Sequence, residues 1–448
     1  MHDFKAIILA AGSGTRMKSS QPKALHKLSG TPMITWIVNA IVKSNIKDII
    51  TIVPVDHTAF RKTLEDKSEL AVQESPKGSG HALLQSKGKA HKAKNLLVVN
   101  SDMPLIKAET LTNLVNHHKL TQADVTVLTA EVKNMKAFGR IVRNNEGKVI
   151  HIVEESEATA DQLLIDEINA GAYCFKTSWL WNALESLKPS SSGEFFLTDL
   201  VNFANSLNLH IEALMTNEQE IMGVNDKSDL ARAEKISRAS ICEKLMKDGV
   251  IIVDPDTTYI DSEVVIEADT TILPNTHITG NTKISSYSEI GPNSVIANSR
   301  IGSDCIIKSS TVEAAVVGDN VKIGPYSNIR EGSFLKCNVN IGNYVEIKNS
   351  TLGSGTKSGH HCYLGDSDIG SDVNIGAGTI TCNYDGNKKH RTIIKDEAFI
   401  GSDTKLVAPV TIGKKAITGT GSIITKDIPD FSKGIGAPAR ILKGDRSF

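Results

Sequence analysis

VIEADT-TILPNT-HITGNT-KISSYS-EIGPNS-VI, residues 265–296, repeats every six residues, and isoleucine takes the second place each time, at Ile266, Ile272, Ile278, Ile284, Ile290 and Ile296. The step returns at Val317, Ile323, Ile329, Leu335, Ile341 and Ile347. An aliphatic residue followed by glycine recurs through the same region, from Ile290-Gly291 and Ile301-Gly302 to Ile400-Gly401 and Ile412-Gly413. A six-residue step carries the chain along one side of a coil. The aliphatic residue points inward at each step, and the glycine permits the tight corner.

Outward from this stretch the grammar changes. Residues 249–448 hold 23 of the 34 glycines, although they are the shorter part of the chain. The segment from Asp226 to Asp248 is charged, lacks glycine and proline, and carries apolar residues at Leu230, Ala233, Ile236, Ile241 and Leu245, so it is expected as one linking helix. Before it, the apolar runs Ala6–Ala10, Ile49–Val53, Leu96–Val99 and Val125–Leu128 alternate with helix-like stretches at Pro32–Lys43 and Thr110–Lys119. Alternation of this kind implies an α/β, Rossmann-like sheet, mostly parallel and covered on both faces. Ligands on such sheets bind at the carboxyl ends of the strands. The expected division is therefore 1–226, a linker helix over 227–248, and a repeat domain over 249–448. The repeat resembles the left-handed parallel β-helix of hexapeptide acyltransferases, with three short strands per coil, and that resemblance implies a homotrimer packed through coil sides.

Composition excludes several classes. Lys plus Arg number 50 against 51 Asp plus Glu, which leaves no charge excess to steer the chain to nucleic acid or an anionic membrane. No run approaches the roughly 18 apolar residues of a membrane span. The start, Met1-His2-Asp3-Phe4-Lys5, carries an acid where a secretion signal is basic, so a cytoplasmic location is expected. The 6 cysteines form no Cys-x-x-Cys pair, which argues for reduced, mostly buried thiols.

Leu9-Ala10-Ala11-Gly12-Ser13-Gly14-Thr15-Arg16-Met17 leaves the first expected strand as a glycine-rich loop, and Pro22-Lys23 follows. Backbone N–H groups in such a loop can approach phosphates, and Arg16 and Lys23 can neutralise them. The loop lacks the Gly-Lys-Ser/Thr end of a Walker loop, and Met17 takes the third glycine position of a dinucleotide fingerprint. The whole run resembles the signature of sugar-nucleotide pyrophosphorylases. That resemblance extends to Gln73 and Gly78-Ser79-Gly80-His81, where Gln73, Gly78 and Ser79 would face uracil. It extends further to Asp102, Phe138-Gly139-Arg140-Ile141, Glu154, Asn169 and Gly223-Val224-Asn225. It implies that Gly139, Glu154 and Asn169 touch the sugar, and that Asp102 and Asn225 hold Mg²⁺ between phosphates. Ser101 stands where that family usually has glycine.

In the repeat region the step is interrupted after Ile375-Gly376, at Ala377-Gly378-Thr379-Ile380-Thr381-Cys382-Asn383-Tyr384-Asp385-Gly386, which reads as a loop thrown out from the coil. Just upstream lies Ser358-Gly359-His360-His361, and a histidine can accept the proton of an amine attacking a thioester. With Asn383-Tyr384-Asp385-Gly386, nearly the whole chain resembles the bifunctional N-acetylglucosamine-1-phosphate uridylyltransferase/glucosamine-1-phosphate acetyltransferase family. The resemblance implies His360 as general base, with Arg330, Lys348 and Tyr363 on the substrate phosphate and Asn374 and Asn383 orienting the substrate. Acetyl-CoA would meet Ala377, Asn383, Tyr384, Ser402, Thr420 and Arg440. Departures fall at Glu331, where the family usually has proline, at Thr420, often alanine, and near Ala437, where an arginine is usual.

The implied chemistry has two parts. Acetyl-CoA acetylates glucosamine-1-phosphate, and the product, N-acetylglucosamine-1-phosphate, attacks the α-phosphorus of UTP with Mg²⁺ present, releasing pyrophosphate and supplying envelope polysaccharides. Two rivals remain: a sugar-1-phosphate nucleotidylyltransferase with a non-catalytic trimerising β-helix, and a silent assembly subunit. The first would lack His360 and the Asn383–Gly386 loop, and the second would have lost Arg16, Lys23, Asp102 or Asn225; all are present.

Overall fold

The computed structural model describes residues 3–133, 138–191 and 193–443, and the chain forms two compact units, Met1–Ser237 and Arg238–Phe448.

The first unit is built on a mixed, mostly parallel sheet. Its strands run in the order Ile211–Met215, Val125–Glu131, Glu167–Lys176, Asn95–Asn100, Phe4–Leu9, Ile49–Val53 and Glu69–Val72. Only Glu167–Lys176 opposes both neighbours on this path. The continuous apolar runs have the expected cause. Along the first strand and just beyond it, Ala6, Ile8 and Ala10 face one core while Ile7, Leu9 and Ala11 face another. A strand buried on both faces cannot alternate with polar residues. Helices Met33–Lys43 and Ala108–Thr121 form where the sequence suggests them.

Helix Lys227–Lys247 begins against this unit. Ala233 packs with Leu28, Met33 and Val224. The Ser29 N–H donates to Glu234 Oε2 at 2.7 Å, and the Ser29 hydroxyl donates to Ser237 Oγ at 2.9 Å. Within the second unit, Arg238 lies over the Tyr259 ring at 4.0 Å, and Cys242 and Leu245 enter the coil core.

The second unit is a left-handed parallel β-helix whose strands stack into sheets of 12, 10 and 9 members. Ile290, Ile307, Ile323 and Ile341 fall in register on successive coils. Every residue of the two six-step runs is buried, from Ile266 to Ile296 and from Val317 to Ile347. Each such burial contributes roughly 1.5–3 kcal/mol of transfer free energy. A Thr or Ser closes many steps from inside: Thr276 and Thr282 donate to Leu273 O and Thr279 O, both at 2.7 Å. Cys174, Cys242, Cys305 and Cys362 are buried, while Cys337 and Cys382 are partly exposed.

Two expectations need correction. The repeated glycines are not mainly corner-turners. Many corners pass through Asn or Asp at positive φ, as at Asp269, Asn275, Asn293 and Asn320, because a short polar side chain tolerates the left-handed region. Gly353 and most of its equivalents are glycine because the next coil is too close: a Cβ at Gly353 would stand 2.3 Å from the carbonyl carbon of Gly370. The chain also leaves the coil later than expected. Ile380–Cys382 is still a strand, paired with Lys405–Val407, and the excursion begins at Asn383. It closes through a bridge between Tyr384 and Lys389.

This packing distinguishes two substitutions. Gly353→Ala should destabilise the β-helix by roughly 1–3 kcal/mol, the cost of overpacking against backbone. Asn275→Gly, at an exposed corner, should change stability by no more than about 0.5 kcal/mol. Thermal unfolding of the two variants checks the contrast.

Candidate functional site

In the first unit, loops at the carboxyl ends of the strands enclose a cavity of about 200 Å³. Leu9 ends the first strand and Ala10 and Ala11 follow it, all three buried, and Gly12 opens the exposed loop. Lys23 Nζ donates to Asp102 Oδ2 at 2.8 Å and to Asn225 Oδ1 at 3.3 Å, while Arg16 Nη2 donates to Asn225 Oδ1 at 2.9 Å. Four residues spread over two hundred positions of sequence thus meet at one point. The Val224 N–H donates to Asp102 O at 2.8 Å and fixes the two segments together. Asn225 is not spent as a helix cap, because Asp226 accepts from the N–H groups of Ser228 and Asp229 at 2.8 and 2.9 Å.

Among the described residues no group of three or more His, Cys, Asp or Glu is placed to hold a metal. The Asp102 carboxylate and Asn225 carbonyl are nevertheless a fitting pair for Mg²⁺, which takes one or two protein oxygens and completes its shell with phosphates and water.

The cavity is lined by Gly139, Glu154 and Asn169, and also by Thr198, Gly171 and Tyr173. Thr198 Oγ1 donates to Glu154 Oε1 at 2.8 Å, and burial pushes the Glu154 carboxyl up from its ordinary value. Asn169 Nδ2 donates to the Tyr173 hydroxyl at 2.6 Å, and Asn169 Oδ1 accepts from the Gly171 N–H at 3.1 Å. Gly171 (φ +70°) sits where the register shifts between Asn169 and Tyr173, and a Cβ there would meet Asn100 Nδ2 at 2.7 Å. A bulge of this kind re-aims side chains at a site.

Gln73 is buried, and its amide donates to Gly78 O at 3.2 Å and to His81 Nδ1 at 2.9 Å. Nδ1 accepts only in a neutral ring, and burial lowers the His81 pKa in that direction. Gly78 (φ +98°) admits no side chain, because Phe195 O would lie 2.6 Å from its Cβ. Ser79 Oγ accepts from the Leu197 N–H at 2.9 Å. Thr198, Gly171 and Tyr173 carried no sequence signal, since their role comes from strand crossing and not from local pattern.

In the second unit the expected acetyl-transfer residues gather around one edge of the coil. Asn328–Ile329, Glu346–Lys348 and Tyr363–Gly365 are successive strands of one sheet, which brings Arg330, Lys348 and Tyr363 together. Both cations are already engaged. Arg330 Nη1 donates to Glu346 Oε1 at 2.8 Å, and Glu331 reaches Lys348 Nζ at 3.0 Å and Arg330 Nε at 3.7 Å. The hydrogen bond from Lys348 holds the Glu331 carboxyl below the usual range.

His360 and Asn374 lie on the neighbouring sheet, where Lys357–His360 pairs with Asn374–Ile375. Ala377, Ser402 and Thr420 occupy the turn between these two sheets on the coils that follow. Among the described residues the backbone N–H groups of Ala377 and Ser402 have no partner. Asn383 Nδ2 donates to Asp366 Oδ2 at 2.6 Å and lies 3.4 Å from the Tyr363 hydroxyl, which leaves Oδ1 as the free acceptor. Asp366 is steadied by Asn349 Nδ2 at 2.6 Å. Asn349, Asp366 and Asn383 follow each other one coil apart, and of these only Asn383 was legible by motif. Tyr384 is exposed on the excursion, its hydroxyl donating to Gly386 O at 2.6 Å. Arg440 stands opposite Ile435 in the terminal hairpin, whose strand Ser432–Gly436 pairs with Ile417–Thr418, and its side chain makes no hydrogen bond or ion pair among the described residues.

Comparison with known proteins covers both units. A nucleotidyl transferase family model matches residues 5–219. A bacterial transferase hexapeptide model of six repeats matches 263–298, and a GlmU-like C-terminal hexapeptide model matches 281–375. Relatives named bifunctional protein GlmU are 43% identical over 444 residues in Carboxydothermus hydrogenoformans, covering 99% of both chains, and 44% identical in Thermosipho africanus, covering 99% of this chain and 96% of the relative. The relative of the same name from Clostridioides difficile is 41% identical over 98% of this chain and 96% of its own length. The chain belongs to the bifunctional GlmU family, and is an enzyme that joins acetyl transfer and uridylyl transfer in one polypeptide to make UDP-N-acetylglucosamine.

Proposed function

We propose the following division of labour among its residues. Uridylyl transfer lies in residues 1–226, acetyl transfer in 249–448, and helix 227–248 joins them. The observation that carries the uridylyl assignment is the convergence of Arg16, Lys23, Asp102 and Asn225. Arg16, Lys23 and the loop from Leu9 to Gly12 receive the UTP phosphates, with Gln73, Gly78 and Ser79 on the base. Gly139, Glu154 and Asn169 hold N-acetylglucosamine-1-phosphate so that its phosphate oxygen faces the α-phosphorus. Asp102 and Asn225 would hold Mg²⁺, which supplies charge neutralisation between the phosphates. The catalytic contribution of the protein is positioning and preorganised charge.

For acetyl transfer, Arg330, Lys348 and Tyr363 hold the phosphate of glucosamine-1-phosphate, while Asn374 and Asn383 present its amine. Asn383 Oδ1 accepts from that amine. The nitrogen bonds to the thioester carbon, whose carbonyl becomes a tetrahedral oxyanion, and collapse of that oxyanion breaks the carbon–sulfur bond. The amine proton passes to His360 Nε2, and the departing CoA thiolate takes it from the His360 cation, which returns the ring to neutral. The free N–H groups of Ala377 and Ser402 support the oxyanion, with Tyr384, Thr420 and Arg440 along the coenzyme. Exposed Val265, Val316 and Phe334 on one coil face support packing as a homotrimer. Among the described residues no helix is long and apolar enough to cross a membrane, and use of UTP and acetyl-CoA supports a cytoplasmic location.

Reciprocal variants test the assignment. Asp102→Ala should lower uridylyl transfer by at least about a hundredfold and spare acetylation. His360→Ala should lower acetylation by about a hundred- to ten-thousandfold and spare uridylyl transfer. Loss of both activities in either folded variant would refute the division.

Glu331 occupies the position an incoming phosphate would take between Lys348 and Arg330. Glu331→Gln should therefore lower the KM for glucosamine-1-phosphate by about two- to fivefold, a modest factor because the pair is exposed. An unchanged or higher KM would contradict competition by this carboxylate.

The helix contacts predict a third outcome. A fragment of residues 1–248 should catalyse uridylyl transfer and unfold at a higher temperature than one of residues 1–226, which lacks Ala233, Glu234 and Ser237. Calorimetry of the two fragments makes the comparison.

A further inference from the structure

We propose that Asn343 is a positioning residue for acetyl transfer, holding His360 in the tautomer that leaves Nε2 unprotonated. This rests on the reading of His360 as the base. The Nδ1–H of His360 donates to Asn343 Oδ1 at 2.6 Å. The two residues are direct partners in adjacent strands, one coil apart. Among the described residues His360 makes no other side-chain hydrogen bond, so Nε2 is the nitrogen left for substrate.

The surroundings hold this pair in register from both sides. Immediately before it, a Cβ on Gly342 would stand 1.9 Å from Gly359 O, so the two strands are in backbone contact. Immediately after it, His361 stacks on Tyr344 with ring centroids 4.9 Å apart, and Tyr344 stacks on Tyr326 at 5.5 Å. These contacts also support His360 over its neighbour: His361 is held in the corner stack at positive φ, and His360 is the one on the strand. A neutral imidazole carries its hydrogen on either nitrogen. In an exposed ring without an acceptor on Nδ1, part of the population would carry it on Nε2 and could not accept the substrate's proton. Asn343 Oδ1 removes that population, as an outer partner fixes the tautomer of a metal-bound histidine.

The test uses the full-length protein with Asn343→Leu, which keeps the size and removes the acceptor, and Asn343→Asp, which keeps an acceptor. For Asn343→Leu the kcat of acetyl transfer should fall by about ten- to a hundredfold, with the KM for glucosamine-1-phosphate and the uridylyl rate unchanged. Asn343→Asp should recover kcat to within about threefold of the parent, a rescue that acceptor chemistry predicts and a merely structural role does not. In a His360→Ala background, adding Asn343→Leu should cost nothing more. Parental kcat in Asn343→Leu, equal loss in both Asn343 variants, or a further loss in the His360→Ala background would each overturn the proposal. If His360→Ala itself acetylates at the parental rate, the base assignment is what fails; if it is inactive while Asn343→Leu is fully active, only the positioning role fails.

Discussion

The β-helix depends on the contact between one coil and the next. Aliphatic side chains stack inside, strands pair outside, and backbones approach until only glycine fits at positions such as Gly342 and Gly353. The spacing between hydrogen-bonded strands is fixed at about 4.8 Å, so a residue one coil later stands directly over its predecessor. That constraint turns sequence separation into proximity. Asn343 reaches His360, Asn349 reaches Asp366, and Asp366 reaches Asn383, each across 17 residues of chain. The coil period thereby places side chains that are far apart in sequence within hydrogen-bond reach.

The first unit solves the same problem by another route. Its strands deliver Leu9, Asn100 and Val72 to their carboxyl ends, and the segments that follow bring in Arg16, Asp102 and Gln73. The antiparallel strand Glu167–Lys176 adds Asn169 and Gly171 from the opposite direction, through a bulge. Charge does the remaining work. Two cations and two accepting oxygens are linked by contacts of 2.8 to 3.3 Å, an arrangement that costs desolvation unless an anion and a metal make use of it. The same tension recurs in the second unit, where Glu331 and Glu346 satisfy Arg330 and Lys348.

Much of this was legible in the sequence. The six-residue period is a property of the chain itself, because each step repeats one local environment, and all of its aliphatic positions are buried. The buried strands of the first unit were legible because burial on both faces forbids polar residues. The uridylyl residues were legible as motifs because phosphate and metal chemistry restrict which side chains serve. The reason for the glycines was misread: a local pattern shows that glycine is present, while only the neighbouring coil shows what it avoids. The excursion was placed too early for a related reason, since strand pairing keeps Ile380–Cys382 on the coil.

The sequence by itself determined the two architectures, the glycine-rich nucleotide loop, and the residue types needed for both reactions. Tertiary structure decided which of those residues meet and in what state. Thr198 against Glu154, the bulge at Gly171, Glu331 between Arg330 and Lys348, and Asn343 on His360 are contacts between chain segments with no local signature. A motif reports the chemistry a side chain can perform. Its orientation, its ionisation and the atom left free are set by partners that folding brings from elsewhere in the chain.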